Sequence, residues 1–208
     1  MILAIDMGNT NTVIGGIDET KTYFIERVTT DQGRTDTEYA VSFKNILEMH
    51  QIDIASIEGA ILSSVVPPVN STILNAVEKV TGNRPLLVGS GMKTGMNIIM
   101  DNPKTVGADM IVDAVAAKKN YPCPIIIIDM GTATTMSVVD ISGNYIGGVI
   151  LPGLKVSLDS LSGKTAQLPY ISLDIPGKVI GKNTIDCMRS GIMYGNASMI
   201  DGIIDRME

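Results

Sequence analysis

One histidine, two cysteines and no long apolar run are what this 208-residue sequence has least of, and each scarcity removes a class of chemistry. The single His50 stands near the end of an expected helix as a surface residue, so Ser-His-Asp, Cys-His and His-zinc sites are excluded. Cys123 and Cys187 make neither a disulfide framework nor a metal pattern, which points to a reduced, cytoplasmic setting. No apolar run approaches the ~18 residues needed to span a bilayer. The first strand starts at Met1–Ile2 without a basic, apolar leader, so neither secretion nor a membrane partner is expected. A net charge of −6 argues against a general nucleic-acid surface. Any catalysis therefore falls to carboxylates, amides, lysines or a bound ion.

An apolar fraction of 45% and a mean hydropathy of +0.25 are enough for a substantial core, in one large domain or two smaller ones. The sequence Ile-Asp-Met-Gly occurs at Ile5–Gly8 and again at Ile128–Gly131. Both copies follow an apolar strand, Ile2–Asp6 and Ile125–Asp129, and both lead through a Thr-rich turn into another apolar run. The four consecutive isoleucines predict a strand buried on both faces. A lone Asp ending a strand is an ordinary turn residue. Two with matching flanks indicate an internal duplication, with the turns matched in spacing.

The remaining pattern alternates strands and helices. Val13–Ile17 and Thr22–Val28 complete a first antiparallel meander. Thr35 or Asp36 caps a helix to about Gln51, and Ile57–Ser63 is a strand halted by Pro67-Pro68. Asn70 caps a helix ended by Gly82, and Pro85–Val88 is a short strand. A crossing segment, Gly89–Pro103, leads to a helix over Gly107–Tyr121. The second meander is Ile125–Asp129, Thr134–Asp140 and Tyr145–Ile150. A helix over Pro152–Leu161, a short edge segment at Leu173–Pro176 and a long helix from Asn183 or Thr184 to about Met207 follow.

Each Asp-x-Gly tip combines a glycine that lets a ligand approach the backbone, exposed N–H groups that favour anions, and a carboxylate that can hold a hydrated cation. Two such tips facing each other suit a nucleoside triphosphate. Other nucleotide motifs fail. Gly163-Lys-Thr165 lacks the glycine five residues earlier, where Leu158 stands, and no Gly-x-Gly-x-x-Gly follows a strand. Asp109, at the start of a helix, either complements the helix dipole or serves as the base for an attacking alcohol.

Five segments in one order resemble the type III pantothenate kinase family across essentially the whole chain. They are Asp6-Met-Gly-Asn-Thr10, Asn102-Pro103 with Gly107-Ala-Asp109, Asp129-Met-Gly-Thr-Ala-Thr134, Gly147-Gly148 with Pro152-Gly153, and Gly181-Lys-Asn-Thr184. The resemblance implies an α/β, actin-like ATPase fold of two RNase H-like halves, each a mixed sheet with flanking helices. They would span 1–114 and 115–208, the second shortened at its C-terminus. It implies ATP and Mg²⁺ at Asp6, Gly8, Asn9, Thr10, Gly131 and Thr132, a monovalent cation (K⁺ or NH₄⁺) at Asp129, and Asp109 as catalytic base. Gly107, Ala108, Thr184 and the positions of Met100 and Met110 would serve pantothenate. The family is a homodimer whose site is completed across the interface.

Three departures stand out. Met110 replaces the arginine that would pair the pantothenate carboxylate, Met100 replaces a tyrosine, and the family continues past position 208 into a strand and a glycine-rich adenosine-contacting segment. Two other readings share the scaffold: a catalytically impaired accessory protein, and a kinase for a related pantoyl alcohol lacking the carboxylate.

Overall fold

The computed structural model describes residues 1–89 and 91–208. Ser90, in the expected crossing segment, lies outside the described residues. The first half begins with β1 (Ile2–Met7), whose alternate residues Leu3, Ile5 and Met7 enter the core. β2 (Asn11–Ile17) and β3 (Thr22–Thr29) follow as an antiparallel meander. Asp18 shapes the turn between them by accepting hydrogen bonds from the N–H groups of Thr20 and Lys21. Helix α1 (Asp36–Met49) starts on a full capping box: Thr35 accepts from the Glu38 N–H, and Glu38 reaches back to the N–H of Thr35.

β4 (Gly59–Ser64) then runs parallel to β1, and Pro67-Pro68 ends it in a 3-10 turn. Helix α2 (Asn70–Thr81) stops at Gly82, whose φ of 71° only a residue without Cβ adopts freely. β5 (Leu86–Leu87) completes the order β3-β2-β1-β4-β5. Tyr39, Phe43, Leu47, Ile73 and Val77 of α1 and α2 cover one face of this sheet and form the largest core. Asn70 does not cap α2 with its side chain. It accepts instead from Ser64 Oγ at 2.6 Å, tying the end of β4 to the helix.

The crossing segment supplies β6 (Asn97–Ile98), which sequence periodicity cannot reveal in two residues. Helix α3 (Ala108–Asn120) follows and packs against β4 of the first half. It also packs against β7 (Ile125–Met130) and β8 (Ala133–Val139) of the second. The division at 114/115 expected from sequence falls inside this helix. With β9 (Asn144–Pro152) the second sheet has the order β6-β9-β8-β7. Two helices, α4 (Leu154–Lys164) and α5 (Thr184–Met207), close the half around Leu158, Ile171, Met188 and Ile192. No described helix is long and apolar enough to cross a membrane.

The architecture is α/β with two related halves, and besides the Asn70 cap it differs from the sequence reading in four places. Pro152 ends β9 rather than opening a helix; α4 begins after Gly153. Residues 173–176 form no strand. The run Ile125–Ile128 is not buried on both faces: Ile128 is 38% exposed. Ile125 and Ile127 pack under α3 around Tyr145 and Val139, but among the described residues nothing pairs with the edge of β7 where β4 lies beside β1. Finally, the two turns are not equal in length. Met7 pairs with Thr12, whereas Met130 pairs with Thr134, so the second turn is one residue shorter. The matching letters hide this, because turn length is set by which residues pair and not by which letters recur.

Candidate active site

The two tips and the N-terminus of α3 meet around one cavity of about 300 Å³. Asp6, Gly8, Asn9 and Thr10 line it from the first half, Asp129, Gly131 and Thr132 from the second, and Asp109 from α3. The tips touch: Thr10 Oγ1 and Thr132 Oγ1 are 3.0 Å apart although 122 positions separate them in sequence. Each tip is closed by its own backbone bond, Gly8 N–H to the Asn11 carbonyl and Gly131 N–H to the Ala133 carbonyl, both at 3.0 Å.

Each tip is also held from behind by the residue that follows the third strand of its meander. In the first half the Thr30 N–H donates to the Thr10 carbonyl at 3.0 Å. The Thr30 hydroxyl donates to the Gly8 carbonyl at 2.8 Å and lies 2.9 Å from the hydroxyl of buried Thr12. In the second half Gly153 takes this place, its N–H donating to the Thr132 carbonyl at 3.1 Å. Having no side chain, Gly153 leaves Thr134, the counterpart of Thr12, as a buried hydroxyl without a partner. A Cβ at 153 would run into the carbonyls of Gly131 and Thr132. The shorter second turn thus brings the chain so close that only glycine fits behind it.

Asp109 lies in the first turn of α3, where its Oδ1 accepts from the Met110 N–H at 2.7 Å. A Cβ at Gly107 would collide with that carboxylate, so glycine at the helix cap keeps Asp109 in its place. Among the ionisable groups here, Asp6 is raised above the usual carboxylate range, first by loss of water around it and then by the charges of Asp109 and Asp129. Ser63 opposes this shift. It is the register partner of Asp6 on β4, is buried, and has no hydrogen bond within ordinary geometry.

Asp113, four residues beyond Asp109 and thus on the same face of α3, went unnoticed in the sequence; its spacing is the signal that could have found it. Desolvation, then Asp129, Asp6 and Asp109, push its pKa from 3.8 to about 6. The folded protein is therefore penalised once pH exceeds the unfolded value, and fully so above about 6. Discounted for its open side, the penalty is ~1 kcal/mol. Asp113→Asn should raise Tm by about 2–4 °C at neutral or higher pH. The gain should shrink as pH falls through about 6 and vanish near the ordinary 3.8. Thermal melts across pH measure this, and a gain unchanged in acid would sink the electrostatic account.

The other expected residues do not line this cavity. Gly107 caps α3 and Ala108, its first residue, is buried. Met110 turns into the cluster under α3, its sulfur 4.0 Å from Tyr145 Oη. Met100 reaches the same strand, its sulfur 3.4 Å from where a Cβ at Gly147 would stand. Thr184 is exposed at the N-terminus of α5, where Asn183 rather than Thr184 is the cap, its side chain accepting from the Asp186 N–H at 2.9 Å. Arg27, which sequence reasoning passed over, does line the cavity.

No three carboxylate, histidine or cysteine side chains among the described residues converge to cage a metal. A cation in this cleft would take one or two carboxylates and complete its shell from phosphate and water oxygens, which is how Mg²⁺ is held beside nucleotides. The residues present fit that use.

A family model described as type III pantothenate kinase matches residues 2–206. A type III pantothenate kinase of Syntrophotalea carbinolica is 44% identical over 207 residues, spanning the whole of this chain and 81% of that protein. One of Bacillus cytotoxicus is 43% identical over 208 residues and is covered to 79%. Among solved structures, a protein described as a conserved Baf family transcriptional activator from Campylobacter jejuni superposes with a TM-score of 0.58 at 16% identity, covering 96% of this chain and 78% of that one; it speaks for the fold.

Proposed function

This chain belongs to the type III pantothenate kinase family, and on that premise we propose how its cleft works. The protein phosphorylates pantothenate with ATP, the first step toward coenzyme A. The convergence of two anion-binding tips and one carboxylate on a single cavity supports this reading more than any other observation. The backbone N–H groups of Asn9 and Thr10 hold the donor's phosphates from one side and that of Thr132 from the other, while Gly8 and Gly131, whose own N–H groups close the turns, let the phosphates approach the backbone. Asp109 accepts the proton of the attacking primary alcohol on its carboxylate oxygen. The Met110 N–H fixes that carboxylate beforehand, so little reorganisation is needed at transfer. Mg²⁺ held at Asp6 and a monovalent cation at Asp129 would neutralise charge on the phosphate oxygens.

The acceptor approaches Asp109 at the N-terminal end of α3, where neither the expected arginine nor the expected tyrosine is present: the Met110 side chain packs under α3 against Tyr145 and the Met100 sulfur lies near Gly147. A second copy completes that side. The run Tyr170, Ile175, Val179 and Ile180, between 67% and 87% exposed and shortly before Thr184 in the sequence, supports a homodimer. Sedimentation equilibrium that found only monomer at micromolar concentration would remove this part. The free thiols Cys123 and Cys187 suit a reducing cytoplasm.

The test is ADP release from the purified chain with ATP, Mg²⁺ and K⁺, with and without pantothenate. Pantothenate-dependent release is the expected result. Release that appears only with pantoyl alcohols lacking the carboxylate would reassign the acceptor, and none with either would favour an accessory role.

A further inference from the structure

Arg27 is unused by the mechanism above, yet it is the only cation lining the cavity among the described residues. Strand register explains how it gets there. Asp6 pairs with Val13 and Val13 with Arg27, so the three stand in one row across β1, β2 and β3 and project from the same face. Two strand spacings separate Asp6 from Arg27, about 10 Å between Cα atoms. The long arginine side chain can span most of that gap.

Three carboxylates share the cavity, Asp6, Asp109 and Asp129. Arg27 forms an ion pair with none of them, nor with any other described carboxylate. Its guanidinium is a planar cation, not neutralised by the protein, in a site whose other charges are negative. Such a group matches a phosphate, which can take two parallel N–H bonds from it. A polyanion entering this cleft would otherwise meet only neutral amides, hydroxyls and repelling carboxylates.

We propose that Arg27 binds the terminal phosphates of the nucleotide donor, opposite the second tip, and so selects triphosphate over monophosphate. The proposal rests on the kinase reading for the identity of the donor. The row also argues for the terminal phosphates and against the base or sugar, because Asp6, in the same row, is the carboxylate assigned to the Mg²⁺ that accompanies those phosphates.

The experiment compares wild type, Arg27→Ala and Arg27→Lys. Calorimetry gives affinities for AMP, ADP and a non-hydrolysable ATP analogue with Mg²⁺, and kinetics give KM for ATP and pantothenate. Arg27→Ala should weaken the ATP analogue about 10- to 100-fold, the worth of a charge-assisted bond, and leave AMP and the pantothenate KM unchanged. Arg27→Lys should fall between, keeping the charge but not the fork. Equal losses for AMP and the ATP analogue, a loss confined to the pantothenate KM, or no loss would each overturn the proposal. Nucleotide affinity does not require an acceptor, so a wild type that binds the analogue but never turns over with pantothenate would refute the acceptor while Arg27 was still judged. Arg27 is exposed on an edge strand, and unchanged melting of both variants checks that only binding has moved.

Discussion

Asp109→Asn should lower kcat by about 10²- to 10⁴-fold, the span of a lost general base, with the KM for ATP nearly unchanged. The substitution is nearly isosteric. The amide oxygen can still accept from the Met110 N–H that now holds Oδ1 at 2.7 Å, so the side chain keeps its place above Gly107. What disappears is the ability to take a proton. One negative charge also disappears near Asp6 and Asp113, both of which Asp109 now raises. Melting should therefore be unchanged or slightly higher, which separates a catalytic loss from a folding one. Steady-state rates with ATP and pantothenate, read beside a thermal melt, decide it. Turnover within roughly threefold of wild type would mean that Asp109 only complements the helix dipole.

Much of this site is legible in the sequence because its parts are local. An Asp-x-Gly tip after an apolar strand is a statement about six or seven consecutive residues, and both tips line the cavity. The capping residues Thr35, Gly82 and Asn183 also act within one turn of their own helices, and each stands where it was expected. What stayed hidden depends on pairing between distant strands. Arg27 enters the cleft through its register with Val13, and Ser63 stands beside Asp6 through a parallel pairing that spans 57 positions. The unequal turns were masked by identical letters. Met110 shows the opposite limit. Its place in sequence suggested a lining residue, but its apolar side chain packs under α3 against Tyr145. The half-exposed isoleucines of β7 follow from an edge that no local pattern reports.

Gly153 joins these strands of argument, and Gly153→Ala is expected to cut kcat/KM for ATP by about 10²-fold, the cost of a misplacement of roughly 1 Å at a reacting group. Its backbone, at φ −69° and ψ 167°, is one that alanine adopts freely, so the loss would not come from backbone strain. It would come from the added methyl, which meets the carbonyls of Gly131 and Thr132 with no side chain able to yield. The tip must then move, and with it the Thr132 N–H and the hydroxyl that meets Thr10 at 3.0 Å. The first half tolerates a threonine at the equivalent Thr30 because its turn is one residue longer. Gly163→Ala is the matched control: it lies within α4 with nothing inside 4 Å of its Cβ position. That change should leave kinetics alone and, if anything, stabilise the helix by up to ~1 kcal/mol. The Kd for Mg·ADP gives a second readout, since a displaced tip weakens binding of the product as well as its formation. If Gly153→Ala matched Gly163→Ala in both measurements, the second tip would not be held by the close approach of residue 153, and the difference between the two halves would have no functional weight.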